Sequence, residues 1–240
     1  PGIVVVYKKP GMSSKDVSRK IIKSYGPMKI GHVGTLDPIA EGVLPMVVGN
    51  FSRLHDILLC STKVYECHVK LGIKTDTLDL DGNICETKSY SHITLSCLKE
   101  AASSLVGKKS QVPPIFSAIK YKGMALYKYA REGREDQVPL ESLAREIEIF
   151  SLDIKSFSGD KLVFETKVSK GTYIRTLTQE LLSLLETVGS VARLIRKSVG
   201  AMTTSIAKDV DDIVESKKEL SSFYLPLESL GFRDSIVNIS

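Results

Sequence analysis

The stretch GHVGTLDPIAEGVLP, residues 31–45, sets one carboxylate, Asp37, before a proline and among glycines at Gly31, Gly34 and Gly42. Two roles compete for it. Asp is a good N-cap, Pro is favoured at a first helical position and Gly just past a last one, so DPIAEG reads as a capped turn of helix. Pro38, however, also biases Asp37 towards extended backbone, and the glycines permit close approach of another chain or a ligand. A rigidly held acid in such a place can serve as nucleophile or general base.

SKGTYIRTL, residues 169–177, flanks Ile174 with Tyr173 and Arg175 at a strand-to-helix junction. The planar fork of Arg175 suits a carboxylate or phosphate better than a lysine would. The plainer alternative is a junction with exposed polar side chains. DTLDLDG, residues 76–82, invites a calcium loop, but a loop begun at Thr77 puts Lys88 where a bidentate Glu is required, so a turn is the better reading. His32 alone is as good a structural histidine as a binding one. No P-loop, nucleophile elbow, HExxH or GxGxxG pattern appears. Cys60, Cys67, Cys85 and Cys97 lack any CxxC or zinc-finger spacing and read as reduced, small core residues.

The elements that must hold these residues follow from periodicity. Ser13 and Ser14 can cap a helix to about Tyr25, with Val17, Ile21, Ile22 and Tyr25 inward and Lys15, Arg19 and Lys23 as a basic stripe opposite. Strict alternation from Tyr65 to Leu71 predicts a strand with Tyr65, Cys67, Val69 and Leu71 on its buried face. Thr94 can cap a helix carrying Leu95, Leu98, Ala102 and Leu105. Arg145–Ile154 and Lys161–Val168 read as a hairpin around Ser158-Gly159-Asp160, followed by a helix with Ile174, Leu177, Leu181 and Leu184. Strands and helices mix without a βαβ rhythm, which predicts an α+β fold: a mixed, mainly antiparallel central sheet with flanking helices. Residues 108–139, rich in Lys, Arg, Gly and Pro and carrying Tyr121, Tyr127 and Tyr129, read as an insertion on one catalytic domain spanning 1–240, with a short C-terminal tail from about 205 to 240.

The charge balance, 33 basic against 28 acidic side chains, is a mild +5, but its distribution favours an anionic partner. Basic clusters fall from Lys15 to Lys29, at Lys108 and Lys109, from Lys120 to Arg134 and from Arg193 to Lys197. No apolar run has the length of a bilayer span, and the apolar Ile3–Tyr7 run precedes its lysines, the reverse of a secretory signal. A cytoplasmic protein with no membrane role is expected.

Four stretches together, GHVGTLDPIAEGVLP, VYECHVKLGIKTDTLDLDG, QVPPIFSAIKYKGMALYKYAREG and VSKGTYIRTL, resemble the tRNA pseudouridine synthase B family in order and spacing over nearly the whole chain. The resemblance implies the pseudouridine synthase fold and an isomerase that converts the T-loop uridine of tRNA, position 55, to pseudouridine. It makes Asp37 the catalytic carboxylate, with Arg175 pairing with that carboxylate and Tyr65 packing on a flipped-out base. His32 would contact the T-loop, Leu194 would line the base pocket, Tyr173 would also bind substrate, and the insertion with Lys122 and Arg131 would grip RNA; the stripe of Lys15, Arg19 and Lys23, read from its spacing, could lie along a phosphate backbone. The chain departs from the family where Lys8 stands in place of an Asp before the Lys-Pro pair and where Ile195 replaces the first Arg of a Leu-Arg-Arg segment. Bacterial members commonly carry a C-terminal RNA-binding domain of the PUA type; none is expected within these 240 residues, and weaker tRNA binding or fuller reliance on the basic insertion is the expected consequence.

Pseudouridine formation breaks the bond from C1′ to N1, turns the base and joins C5 to C1′, without redox change. No cofactor is therefore expected, neither nucleotide nor metal. Asp37 could attack the sugar, stabilise a cationic sugar, or take a proton at C2′. Partners would be tRNA through its T-stem-loop, with no protein partner required. The alternative function is a non-catalytic RNA-binding or RNA-folding protein on the same scaffold.

Overall fold

The computed structural model describes residues 2–50 and 52–226. The last part of the expected tail, residues 227–240, lies outside the described residues. The chain divides into two compact units, residues 1–65 with 194–240, and residues 66–193.

The first unit begins with β1 (Gly2–Lys8), α1 (Ser14–Tyr25), β2 (Ile30–His32), β3 (Ala40–Val48), α2 (Ser52–Cys60) and the start of β4 (Lys63–Leu71). The β-branched run of β1 lies antiparallel to β3 from Gly2↔Val48 to Lys8↔Gly42. Every residue of β3 is buried, which accounts for its nearly continuous apolar sequence. β2 also pairs antiparallel with β3, from Ile30↔Val48 to His32↔Met46. At the head of α1, the Ser13 hydroxyl accepts from Asp16 N while Ser13 N donates to the Asp16 carboxylate. Such a capping box is worth about 1 kcal/mol. Val17 and Ile21 are the inward face of α1, and Lys15, Arg19 and Lys23 are exposed on the other.

The second unit holds the rest of β4, then β5 (Ile73–Thr75), β6 (Ile84–Thr87), α3 (Leu95–Ser104), β7 (Gly107–Gln111), β8 (Lys120–Tyr121), β9 (Met124–Ala125), α4 (Leu126–Arg131), β10 (Arg145–Ser158), β11 (Lys161–Val168), α5 (Ile174–Ser183) and the start of β12 (Gly189–Val199). β10 and β11 form the expected hairpin, with Gly159 supplying the positive φ of its turn. β7 pairs antiparallel with the other edge of β10, Arg145↔Gln111 to Ile149↔Gly107. Lys108 and Lys109 thus belong to a sheet strand, and the segment that leaves the sheet starts after Gln111. That segment carries its own small core of Leu126, Tyr129 and Val138, covered by Ile115, Ile119, Tyr121, Met124, Leu140 and Leu143. The helix of Ile174, Leu177 and Leu181 buries all three, while Leu184 falls past its end and is 54% exposed.

The chain then returns to the first unit with β13 (Met202–Thr203), β14 (Lys208–Asp209) and α6 (Val210–Glu215). β12 runs parallel to β3, pairing Leu194↔Ala40 and Arg196↔Gly42, and β14 runs parallel to β1. Val199 and Met202 complete a core with Ile3, Val5, Val33, Val43, Val47 and Leu58. Among the described pairings, β12–β3, β14–β1 and the isolated Asp79↔Val191 bridge are parallel and β1–β3, β2–β3, β10–β11, β10–β7 and β12–β13 antiparallel, so the fold is the expected α+β arrangement on a mixed, mainly antiparallel sheet. The cysteine expectation needs correcting. Cys67 alone is buried, its thiol pushed up to about 12 by burial, whereas Cys60 and Cys85 are exposed and Cys97 is intermediate.

Candidate active site

Asp37 lies in the loop between β2 and β3 and caps no helix; Ala40 N bonds back to Asp37 O, and the chain enters β3 directly. Pro38 and the strand pairing of Ala40 therefore override the helix-turn reading. The loop is held at three places. Gly34 O accepts from Arg196 Nη2 at 2.9 Å. Leu36 uses both backbone groups on the buried Ser14 hydroxyl, Leu36 N donating at 2.9 Å and Leu36 O accepting at 3.2 Å. Pro38 O accepts from Gly11 N at 2.8 Å and from Lys8 Nζ at 3.3 Å. Asp37 itself is half-buried.

Lys8 is fully buried and also donates to Lys9 O at 2.9 Å and Met12 O at 2.6 Å. Burial lowers its pKa to about 8, with Asp37 the largest influence in the other direction. Arg196, 1% exposed, donates from Nε to Val43 O at 2.7 Å as well as to Gly34 O. The basic cluster from Arg193 to Lys197 is thus not a uniform surface for an anion, because Arg196 faces inward. Gly42 serves this strand rather than a ligand: its φ is +109°, and a Cβ there would lie 2.3 Å from Arg196 O.

Leu194 is 5% exposed on β12, paired with Ala40 three residues after Asp37. Tyr65 is buried at the expected position of β4. His32 Nε2 lies 3.2 Å from Thr35 Oγ1, and its carbonyl lies 3.3 Å from His55 Nε2. Burial, then the Arg196, His55 and Lys15 charges, lower the His32 pKa, which favours the neutral ring. His32 ends β2, Asp37 sits on the loop that follows, and Leu194 lies on β12 beside the point where that loop enters β3. Of the basic stripe, Arg19 is engaged by Asp16 at 2.9 Å.

In the second unit, Arg175 sits in the first turn of α5 and is 3% exposed. Its guanidinium donates from Nη1 to Thr77 O at 2.7 Å and from Nη2 to Phe116 O at 2.9 Å, and Nε lies 4.0 Å from Asp79 Oδ2. Asp79 is buried and accepts at Oδ1 from the Thr77 hydroxyl at 2.7 Å and from Asp81 N at 3.2 Å. Burial raises the Asp79 pKa, opposed by Thr77 and the Arg175 charge. Tyr173 precedes the helix; its N–H donates to Gln111 Oε1 at 2.8 Å and its carbonyl accepts from Gln111 Nε2 at 3.3 Å. Lys122 and Arg131 stand over the rings of Tyr121 and Tyr127 at 5.3 and 5.4 Å, and Arg134 over Tyr129 at 5.2 Å. Such stacking holds cations at an exposed surface by about 0.5–1 kcal/mol each.

Among the buried charged residues, Lys8, Glu41, Lys63, Asp79 and Arg196 are given no role by the sequence reading. For Arg196 a weak signal existed, since alternation along β12 puts it on the strand face of Leu194. Nothing local separates Asp79, which is buried, from Asp76 and Asp81, which are exposed.

A family model described as TruB family pseudouridylate synthase (N terminal domain) matches residues 19–174. A protein of Geotalea uraniireducens named tRNA pseudouridine synthase B is 41% identical over 211 residues, covering 88% of this chain and 67% of the relative. One of the same name from Caldanaerobacter subterraneus subsp. tengcongensis is 39% identical over 220 residues, covering 91% and 76%. Among solved structures, a chain in the crystal structure of a Cbf5-Nop10-Gar1 complex aligns with a TM-score of 0.71 at 22% identity, covering 95% of this chain and 61% of that one. A chain in the structure of an H/ACA RNP bound to a substrate RNA containing 2'-deoxyuridine gives a TM-score of 0.67 at 19% identity, covering 95% and 60%. At those identities the structural likeness speaks for the fold.

Proposed function

The chain belongs to the TruB family of pseudouridylate synthases and is thus an isomerase of uridine in tRNA, and from that premise we propose that its target is the T-loop uridine and Asp37 its reacting carboxylate. What supports Asp37 is its setting. A half-exposed acid sits on a loop fixed at Gly34, Leu36 and Pro38, and it spends itself on no helix end. Pre-set geometry of this kind is what a nucleophile or base at a sugar requires.

In the proposed reaction the C1′–N1 bond breaks, the freed uracil turns, C5 bonds to C1′, and the C5 proton leaves while N1 gains one. Tyr65 stacks on the uracil, and Leu194, beside the start of β3, borders it. His32, neutral, occupies the space of the extruded base. Extrusion costs a few kcal/mol, recovered from stacking and backbone contacts. Tyr173 and Arg175 are assigned to the same reaction, with Arg175 kept in place by Asp79 and two carbonyls. Lys122 and Arg131 of the insertion and the exposed Lys15, Arg19 and Lys23 are assigned to RNA. No protein partner is invoked, and the cytoplasm, where tRNA is processed, is the proposed place of action. Among the described residues no helix is long and apolar enough to cross a membrane.

The test uses tRNA transcripts tritiated at uracil C5. Release of label by the wild type and not by Asp37→Asn, with product at the T-loop uridine, supports the reading. Release by both proteins overturns the role of Asp37, and product elsewhere overturns the target.

A further inference from the structure

Gly34 O and Val43 O are nine residues apart in sequence, yet both accept from the single guanidinium of Arg196. Asp37 lies between them. The same residue contributes its backbone to the β12–β3 pairing opposite Gly42, so the loop is closed at its neck by one side chain from a strand more than 150 positions later. The contact is tight on the loop side as well: Gly34 has φ +73°, and a Cβ there would lie 3.2 Å from Arg196 Nη1.

Burying a guanidinium is expensive, and apolar residues of similar volume often stabilise a protein as well or better. The cation therefore has another use here. A planar fork can reach two carbonyls in fixed relation, whereas an ammonium on a flexible stem is a single point of attachment. We propose that Arg196 is a positioning residue, which sets the Asp37 carboxylate against the reacting sugar by clamping the neck of its loop. This rests on Asp37 being the reacting group.

The variant to measure is Arg196→Lys, which keeps the charge and removes the fork, with Asp37→Asn alongside. Because a displacement of about 1 Å at a reacting group can cost about 100-fold in rate, kcat for tritium release should fall by about that factor. The tRNA dissociation constant should stay close to wild type, while the melting temperature drops by a few degrees, because one buried carbonyl loses its donor, with the protein still folded at the assay temperature. Wild-type kcat in Arg196→Lys overturns the proposal, as does a loss confined to tRNA affinity or melting temperature. If Arg196→Lys does not fold, Gly34→Ala presses on the same contact from the loop side; lost kcat at unchanged affinity then supports the clamp, and unchanged kcat overturns it. Turnover by Asp37→Asn would instead remove the reading beneath it, so the two failures are distinct.

Discussion

Arg175 and Asp79 meet in the interior of their unit with Nε and Oδ2 4.0 Å apart, and neither side chain is more than 9% exposed. The guanidinium is completed by two carbonyls and the carboxylate by a hydroxyl and an amide, so each charge is buried only with several partners. Removing one member of such a pair strands the other.

Asp79→Ala should therefore cost about 3 kcal/mol of stability and reduce turnover, while Asp79→Asn, which retains an acceptor for Thr77, should cost less. Urea unfolding with tritium release measures both.

The pH dependence of that pair has a definite sign. Burial lifts the Asp79 pKa above its ordinary 3.8, so the folded protein takes up a proton there before the unfolded chain does. The group's contribution to stability is present in full below 3.8 and is lost as pH rises through the raised value. Melting curves of wild type and Asp79→Asn, followed downward in pH through that window, should shift relative to each other in favour of the wild type.

Lys8 behaves the other way on the alkaline side. Its pKa, lowered from 10.5 to about 8, gives stability that is present above 10.5 and lost as pH falls through 8. The amine is faced by Asp37, Glu41, Asp16 and Arg196. Relative to Lys8→Met, the wild type should gain melting temperature between pH 8 and 10.5; parallel profiles would show that the amine keeps its ordinary pKa.

Two glycines of one motif should differ sharply in their tolerance of alanine. Gly42→Ala puts a Cβ 2.3 Å from Arg196 O at a positive φ, whereas Gly31 has nothing within 4 Å. Denaturant unfolding should show a loss of about 3 kcal/mol for the first and under about 0.5 kcal/mol for the second.

Neutralising Lys122 and Arg131 together should weaken tRNA binding and flatten its salt dependence. Loss of two phosphate contacts lowers the slope of log K against log salt by about 1.4–1.8. Filter binding between 50 and 200 mM salt, a range of the order over which such contacts show, reads this, and an unchanged slope would remove these two residues from the RNA surface.

Elements governed by local periodicity were legible: α1 with its Ser13 cap, the alternating β4, the β10–β11 hairpin and α5 all lie where pattern places them. The interior charges were not. Arg196 takes Gly34 O and Val43 O, Lys8 takes Pro38 O besides two nearby carbonyls, and Asp79, held locally by Thr77 and Asp81, faces Arg175; local pattern carries no record of the distant partners. Asp37 shows the same limit from the other side, since its DPIAEG setting suits a helix cap and only the pairing of Ala40 with β12 makes it a loop into a strand.

The clamp at Gly34 spans 162 residues of sequence, and this has a consequence in time. At synthesis rates of about 5–20 residues per second, the loop bearing Asp37 emerges roughly ten to thirty seconds before the arginine that closes it. Residues 66–193, contiguous in the chain, are made in that interval. On the ribosome the loop meets Ser14, Gly11 and Lys8 as soon as it emerges, all of them made before it, but its neck at Gly34 and Val43 stays unclamped until most of the chain has been translated.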